Sequence, residues 1–338
     1  MHRRSVLTAL AASGVLTTLA ACGGGEDPAP AGSAAPSAPA GDGTFPVTVE
    51  HKLGSTTVDS APTRVVTVGY NEEDFVLALG VTPVGSRTPL GAYDATQRPW
   101  AVDLLPAGGI PSVGQAELNF EQIAVLRPDL IVGAYAYLQQ TDYDKLTQIA
   151  PTIGDTVPAG QPVDSQAAAT WQEELAAIGT ALGKEAEATS LTEEVEQRFT
   201  AAREANPSFE GKTISVVLYN QGYYALDATD PRGNFFLQLG FGANPLSGSV
   251  SEEQVVQLDT DVLVVLGQSR AEFAANPAAA GLDVVTGNRT VYVPTFGSDF
   301  AGALGFSSPL SLPFALEQAV PALATATDGD PATVPADL

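Results

Sequence analysis

Tyrosines, amides and a few arginines stand directly after short β-branched runs in this sequence. Val65-Val66-Thr67-Val68 leads into Tyr70 and Asn71, Thr82 to Val84 into Arg87, and Asp129 to Val132 into Tyr135 and Tyr137. Farther on, Ile214 to Leu218 leads into Tyr219, Asn220 and Tyr223. Val262 to Leu266 leads into Gln268 and Arg270, and Val291 to Val293 into Phe296. Phenols and guanidinium groups offer flat faces for stacking and donors for oxygen-rich ligands. Trp100, in a Pro- and Gly-rich loop, and Arg232, at a helix start where a cation opposes the helix dipole, complete the ligand-binding candidates. The set is Tyr70, Arg87, Trp100, Tyr135, Tyr219, Tyr223, Arg232, Arg270 and Phe296. Each also has a packing or surface reading, so the group argues more than any member.

Other chemistries lack their residues. The sequence has no G-x-S-x-G elbow, no P-loop, no G-x-G-x-x-G after a strand and no H-E-x-x-H. Its histidines number two and its cysteines one, which disfavours a His-rich metal site and excludes internal disulfides. His51 lies before the first core strand, a poor place for a triad member. Glu72, Glu73 and Asp74 cluster at a helix N-terminus, where they complement the dipole. No catalytic residue and no protein-bound metal is expected.

The elements that position the candidates alternate. After Val65–Val68, a helix is expected over Glu72–Leu79, then a strand at Thr82–Val84, a helix at Asn119–Leu126 stopped by Pro128, a strand at Asp129–Val132 and a helix at Tyr143–Ile149. Such alternation implies parallel sheets covered by helices. Trp171, Leu175, Ile178 and Leu182 then draw one apolar stripe, resumed after Gly183 by Leu191, Val195 and Phe199. Residues 165–206 therefore read as a single linking helix, kinked at Gly183. Strands at Ile214–Leu218, Val262–Leu266 and Val291–Val293 follow, with a closing helix at Pro309–Ala324 and an acidic, frayed tail.

Leu118–Val132 repeats without gaps as Val250–Val264, offset by 132 positions. Asn119 and Ser251 stand as N-caps, Gln122 and Gln254 three residues later, and Asp129 and Asp261 at the next strand. Two related lobes are the reading: 46–164 and 207–324, with 325–338 as the tail. Open parallel sheets take ligands at the carboxyl ends of their strands, which is where the aromatic and donor residues fall.

With 338 residues, the chain has room for about two domains. Its 39 acidic against 15 basic residues give −24, the wrong sign for nucleic acid. Arg3 and Arg4, then the chargeless run Val6–Ala21, form a signal peptide over 1–21. Cys22 after Leu19-Ala20-Ala21 resembles a bacterial lipobox, so lipid on Cys22 is the one covalent group expected. Lipid would anchor the protein outside the cytoplasmic membrane. Residues 22–45, rich in Gly, Ala, Pro and Ser, form a flexible tether.

Pro62–Val66, Leu79–Gly85 and Leu118–Gly133, then Trp171–Gly183, Phe235–Gly240, Asn244-Pro245 and Val250–Val256, resemble in combination and order the iron-siderophore and cobalamin class of ABC-transporter substrate-binding proteins. That resemblance spans about Val47 to Pro321. It implies an α/β fold of two Rossmann-like lobes joined by one long helix, with a shallow ligand cleft between them. It also implies a monomer that delivers a small metal chelate to a permease and ATPase complex. Glu121 and Glu253 match the positions at which each lobe docks a permease arginine. Where the family often has an Arg shortly before its Asn-x-Glu motif, this chain has Gln115. An Fe(III)-siderophore, complete in its own coordination sphere, fits the scarcity of histidine, and the scarcity of basic residues favours a neutral or cationic hydroxamate. Cobalamin and haem stay open within the class. An envelope lipoprotein enzyme or an adhesin is the alternative outside it.

Overall fold

The computed structural model describes residues 43–89, 93–162 and 167–338. The signal peptide, Cys22 and the tether up to residue 42 lie outside the described residues, as does the expected start of the linking segment within 163–166.

Two sheets carry the fold. In the first, Gly85–Ser86, Val65–Thr67, Leu130–Val132 and Thr152–Ile153 lie side by side in that order, all parallel. Val65–Thr67 and Leu130–Val132 are buried on both faces, which is why they read as unbroken β-branched runs rather than alternating ones. The strand expected at Thr82–Val84 forms one step later, at Gly85–Ser86. A Cβ on Gly85 would come within 2.4 Å of a Leu126 methyl, so close packing of the sheet on its helix requires glycine there.

The second sheet is mixed, a departure from the parallel expectation. Thr213–Tyr219, Val262–Leu266 and Thr290–Val293 are parallel. Tyr223–Leu226 folds back antiparallel on Thr213–Tyr219, and Gly248–Val250 adds to its edge. Gln221 adopts φ 59° in the connecting turn. A third, two-stranded ribbon, Val47–His51 with Gly54–Val58, precedes the first sheet. His51 is buried there beside Thr56 Oγ1 at 3.0 Å and Tyr143 OH at 3.2 Å. Burial lowers its pKa to about 4, so it is a neutral structural residue.

The linking segment is two helices rather than one. Trp171–Leu182 opens on a capping box between Thr170 and Glu173 and ends at Gly183, which adopts φ 66°. Glu185–Ala205 starts afresh after it. The left-handed residue ends the i→i+4 ladder, so the sequence glycine is a stop and not a bend. Trp171–Leu182 packs on the N-terminal ribbon, whereas Glu185–Ala205 packs on the closing helix Ser311–Ala326. Beyond that helix the tail is pinned, not frayed. Leu338 N–H donates to Tyr292 O at 2.8 Å and Asn288 Nδ2 to Pro331 O at 2.9 Å.

One apolar cluster runs from Val65 and Leu130 through Leu175, Ile178, Val195 and Phe199 to Val264, Val291 and Leu316. The linking helices thus share a core with both lobes. The sequence echo also has a structural basis. Asp129 accepts the N–H groups of Thr63 and Arg64, each at 2.8 Å, and Asp261 accepts that of Thr213 at 2.8 Å. Each aspartate staples the start of its own strand to the start of the neighbouring one. The echoed helices differ in form: Phe120–Val125 is α, and Glu252–Leu258 is a 3₁₀ helix.

Candidate functional site

The carboxyl ends of the parallel strands converge on a cavity of about 660 Å³, a size suited to a small-molecule ligand. Tyr70 lies beyond strand Val65–Thr67, and Tyr135 and Tyr137 beyond Leu130–Val132. Asn220 follows Thr213–Tyr219, Phe296 follows Thr290–Val293, and Leu218 and Leu266 close the back. Asp230 and Arg232, at the start of helix Pro231–Gln238, and helix Asp299–Phe306 supply the far wall. Cavities of about 310 and 510 Å³ open elsewhere, lined by the Asp283–Arg289 turn with Asp330 and by Leu79 with Leu191. Neither lies at the carboxyl end of a strand.

Buried carboxylates hold the tyrosine loop. Glu72 Oε1 accepts Tyr135 N–H at 2.6 Å. Asp155 accepts the N–H groups of Ala136, Tyr137 and Leu138 at 3.1, 2.6 and 2.9 Å. Three consecutive donors on one carboxylate bend the backbone enough to place Tyr137 at φ 53°. Burial raises the Glu72 pKa to about 7 and shifts that of Asp155 upward, against the opposing pull of these N–H groups. Gly69 makes room for Glu72, since a Cβ there would fall 1.8 Å from Glu72 Oε1. The dipole role expected for Glu72 and Asp74 is therefore incomplete: both are fully buried. Asp74 receives Arg98 Nε at 2.8 Å, Trp100 Nε1 at 2.6 Å and Ser308 Oγ at 2.9 Å.

The rings form a connected surface. Tyr135 and Tyr137 have centroids 5.1 Å apart, and Tyr70 lies 6.5 Å from Tyr137. Tyr137 is 61% exposed and Phe296 37%, large apolar faces left open at one place. Among the described residues no cluster of three or more His, Cys, Asp or Glu side chains could hold a metal. The geometry offers stacking faces and hydrogen-bond donors.

Of the candidates read from sequence, Tyr70, Tyr135, Arg232 and Phe296 come together at this cavity. Five do not line it. Arg87 is buried behind Tyr70, its guanidinium 4.4 Å from the ring centre and donating to the carbonyls of Gln115, Val68 and Ala116. It supports the ring from behind. Trp100 sits one layer deeper, stacked on the lining Tyr93 with centroids 5.6 Å apart. Tyr219 and Tyr223 pair with each other at 5.1 Å, and Tyr223 donates to Gln268 Oε1 at 3.0 Å. The unforeseen antiparallel strand takes Tyr223 out of a loop and into the sheet. Arg270 lies over the Tyr292 ring at 4.8 Å and donates to Asn288 Oδ1 at 3.4 Å. Gln115 donates to Pro89 O at 3.2 Å.

Sequence reasoning missed Tyr93, Asp230 and helix Asp299–Phe306. Tyr93 follows no strand, and a Cβ on Gly302 would meet its ring at 2.7 Å. The glycines of that helix were the only signal of a close approach. Glu121 and Glu253 are exposed on their echoed helices.

Two α/β lobes around one aromatic cleft define a solute-binding protein. The chain belongs to the Periplasmic binding protein family, whose profile matches residues 65–295, a family of binders and not of enzymes. It is similar to the Bacillus subtilis protein named "Probable siderophore-binding lipoprotein YfiY" at 31% identity. That match covers 57% of this chain and 56% of the relative. It is also similar to the Fe(3+)-citrate-binding protein YfmC of the same organism, at 30% identity over 72% of this chain and 76% of the relative. A crystal structure of a periplasmic solute binding protein from Mycobacterium smegmatis superposes with a TM-score of 0.73. It is 32% identical, over 83% of this chain and 99% of that one.

Proposed function

We propose that this protein captures a ferric siderophore, of the neutral or cationic hydroxamate type, and hands it to the permease and ATPase complex of an ABC importer. The observation that carries the reading is a cleft faced with tyrosines, with no group of three or more His, Cys, Asp or Glu side chains able to hold a metal among the described residues. Such a surface suits a metal that arrives with its coordination complete, held by outer-sphere contacts to the chelate. The names of the similar proteins support a ferric chelate as cargo. Lipid on Cys22 would hold the protein, as a monomer, at the outer face of the cytoplasmic membrane. No helix among the described residues is long and apolar enough to cross a membrane. Glu121 and Glu253, one on each lobe, are the contacts offered to the permease.

Titration of the purified protein with ferrichrome, a neutral ferric hydroxamate, should quench its tyrosine and tryptophan fluorescence saturably. A response to cobalamin or haem with none to any ferric chelate would replace the siderophore reading.

A further inference from the structure

Asp230 and Arg232 are the charged side chains that line the cavity among the described residues, and each occupies the other. Arg232 Nε donates to Asp230 Oδ1 at 2.9 Å and Nη2 to Oδ2 at 2.7 Å, a two-pronged pairing that is the strongest a guanidinium makes with a carboxylate. The same Oδ1 accepts Arg232 N–H at 2.9 Å, so Asp230 is also the helix N-cap. Local structure keeps the pair in place. Asp227 caps the preceding turn through Thr229 N–H at 2.8 Å, and a Cβ on Gly233 would fall 2.3 Å from Asp227 O. The carboxylate thus answers the puzzle of a cation at a helix start: it offsets both the dipole and the guanidinium.

We propose that Asp230 selects the charge of the cargo by masking Arg232; the proposal rests on the ferric-chelate reading of the cleft. With the fork filled, the charges that line the cavity cancel, and Arg232 Nη1 makes no hydrogen bond among the described residues. A chelate without net negative charge needs only such a donor and the tyrosine faces. An anionic chelate would have to displace Asp230 from the fork or lie beside its carboxylate, and either costs affinity.

The test uses wild type, Asp230→Asn and Asp230→Asn with Arg232→Gln, each titrated with ferrichrome and with a ferric tris-catecholate of three negative charges. Asparagine still accepts the Arg232 N–H as a cap, so the helix start is kept. The ratio of the affinities should move toward the anion by about tenfold or more in Asp230→Asn, the size of an interaction worth one decade. The move should shrink with added salt and be reversed by Arg232→Gln. A ratio that does not move, or moves equally in the double variant, overturns the mask. Tighter binding of the anion already in wild type overturns it as well. Wild type that binds no ferric chelate overturns the reading of the cleft, and the mask with it.

Discussion

Glu72 shows how a site residue is made from an apparently ordinary helix start. It shares a buried pocket with Asn71 and Glu174, where Asn71 Nδ2 donates to Glu174 Oε2 at 3.1 Å and Asn71 Oδ1 has no hydrogen-bond partner among the described residues. The carboxylates of Glu174 and Asp155 face Glu72, and its pKa rises to about 7, chiefly by desolvation. Glu174 is pushed upward for the same reason, with Glu72 as its next cause. A carboxyl whose pKa is higher folded than unfolded stabilises the fold below the unfolded value, and that contribution is lost as pH rises through about 7. Glu72→Gln keeps an oxygen for Tyr135 N–H but does not titrate. Urea denaturation between about pH 5 and about pH 8 should therefore show a shallower loss of stability in the variant than in wild type. Equal slopes would mean that Glu72 is ionised throughout. None of this was legible in sequence, since Glu72 and the exposed Glu121 both stand at helix starts and only burial separates them.

At the scale of elements, Gly183 carries the most weight per atom. Its φ of 66° ends one helix, and a Cβ there would meet the Phe45 ring at 2.7 Å. Gly183→Ala should cost about 1–3 kcal/mol, combining a left-handed backbone with a clash, seen as a lower denaturation midpoint with the same slope. A cost near zero would mean that the helices can merge. The apolar stripes read as one helix kinked at Gly183, whereas the structure has two separate helices. A glycine in a helical pattern reads as tolerated or kinked until its φ is known. The same limit explains the second sheet. The run Tyr223–Leu226 has strand character, yet its antiparallel direction follows from a turn at Gln221 that no periodicity announces.

At the scale of the molecule, polar contacts join residues of the first lobe to the helices after the last strand. Asn71 Nδ2 donates to Phe306 O at 3.2 Å, Ser308 Oγ to Asp74 Oδ2 at 2.9 Å, and Tyr93 OH to Asp299 Oδ1 at 3.1 Å. Together with the shared apolar cluster they favour small lobe movements over wide hinge opening. Delivery would then depend on a permease engaging both lobes at once. Glu121→Ala with Glu253→Ala should bring iron-chelate uptake by cells to background and leave the affinity of the purified protein for the same chelate intact. Parallel loss of both would place these residues in the binding function instead. What the sequence by itself determined was local or repeated: buried strands, capped helices, the duplicated aspartates at strand starts and the tyrosines after three of the strands. The tertiary structure alone decided which of those tyrosines meet, which carboxyls lose their water and which arginine is spoken for. Those outcomes depend on distances across the cleft between residues far apart in the chain, and solvation and charge pairing follow distance in space rather than spacing in sequence.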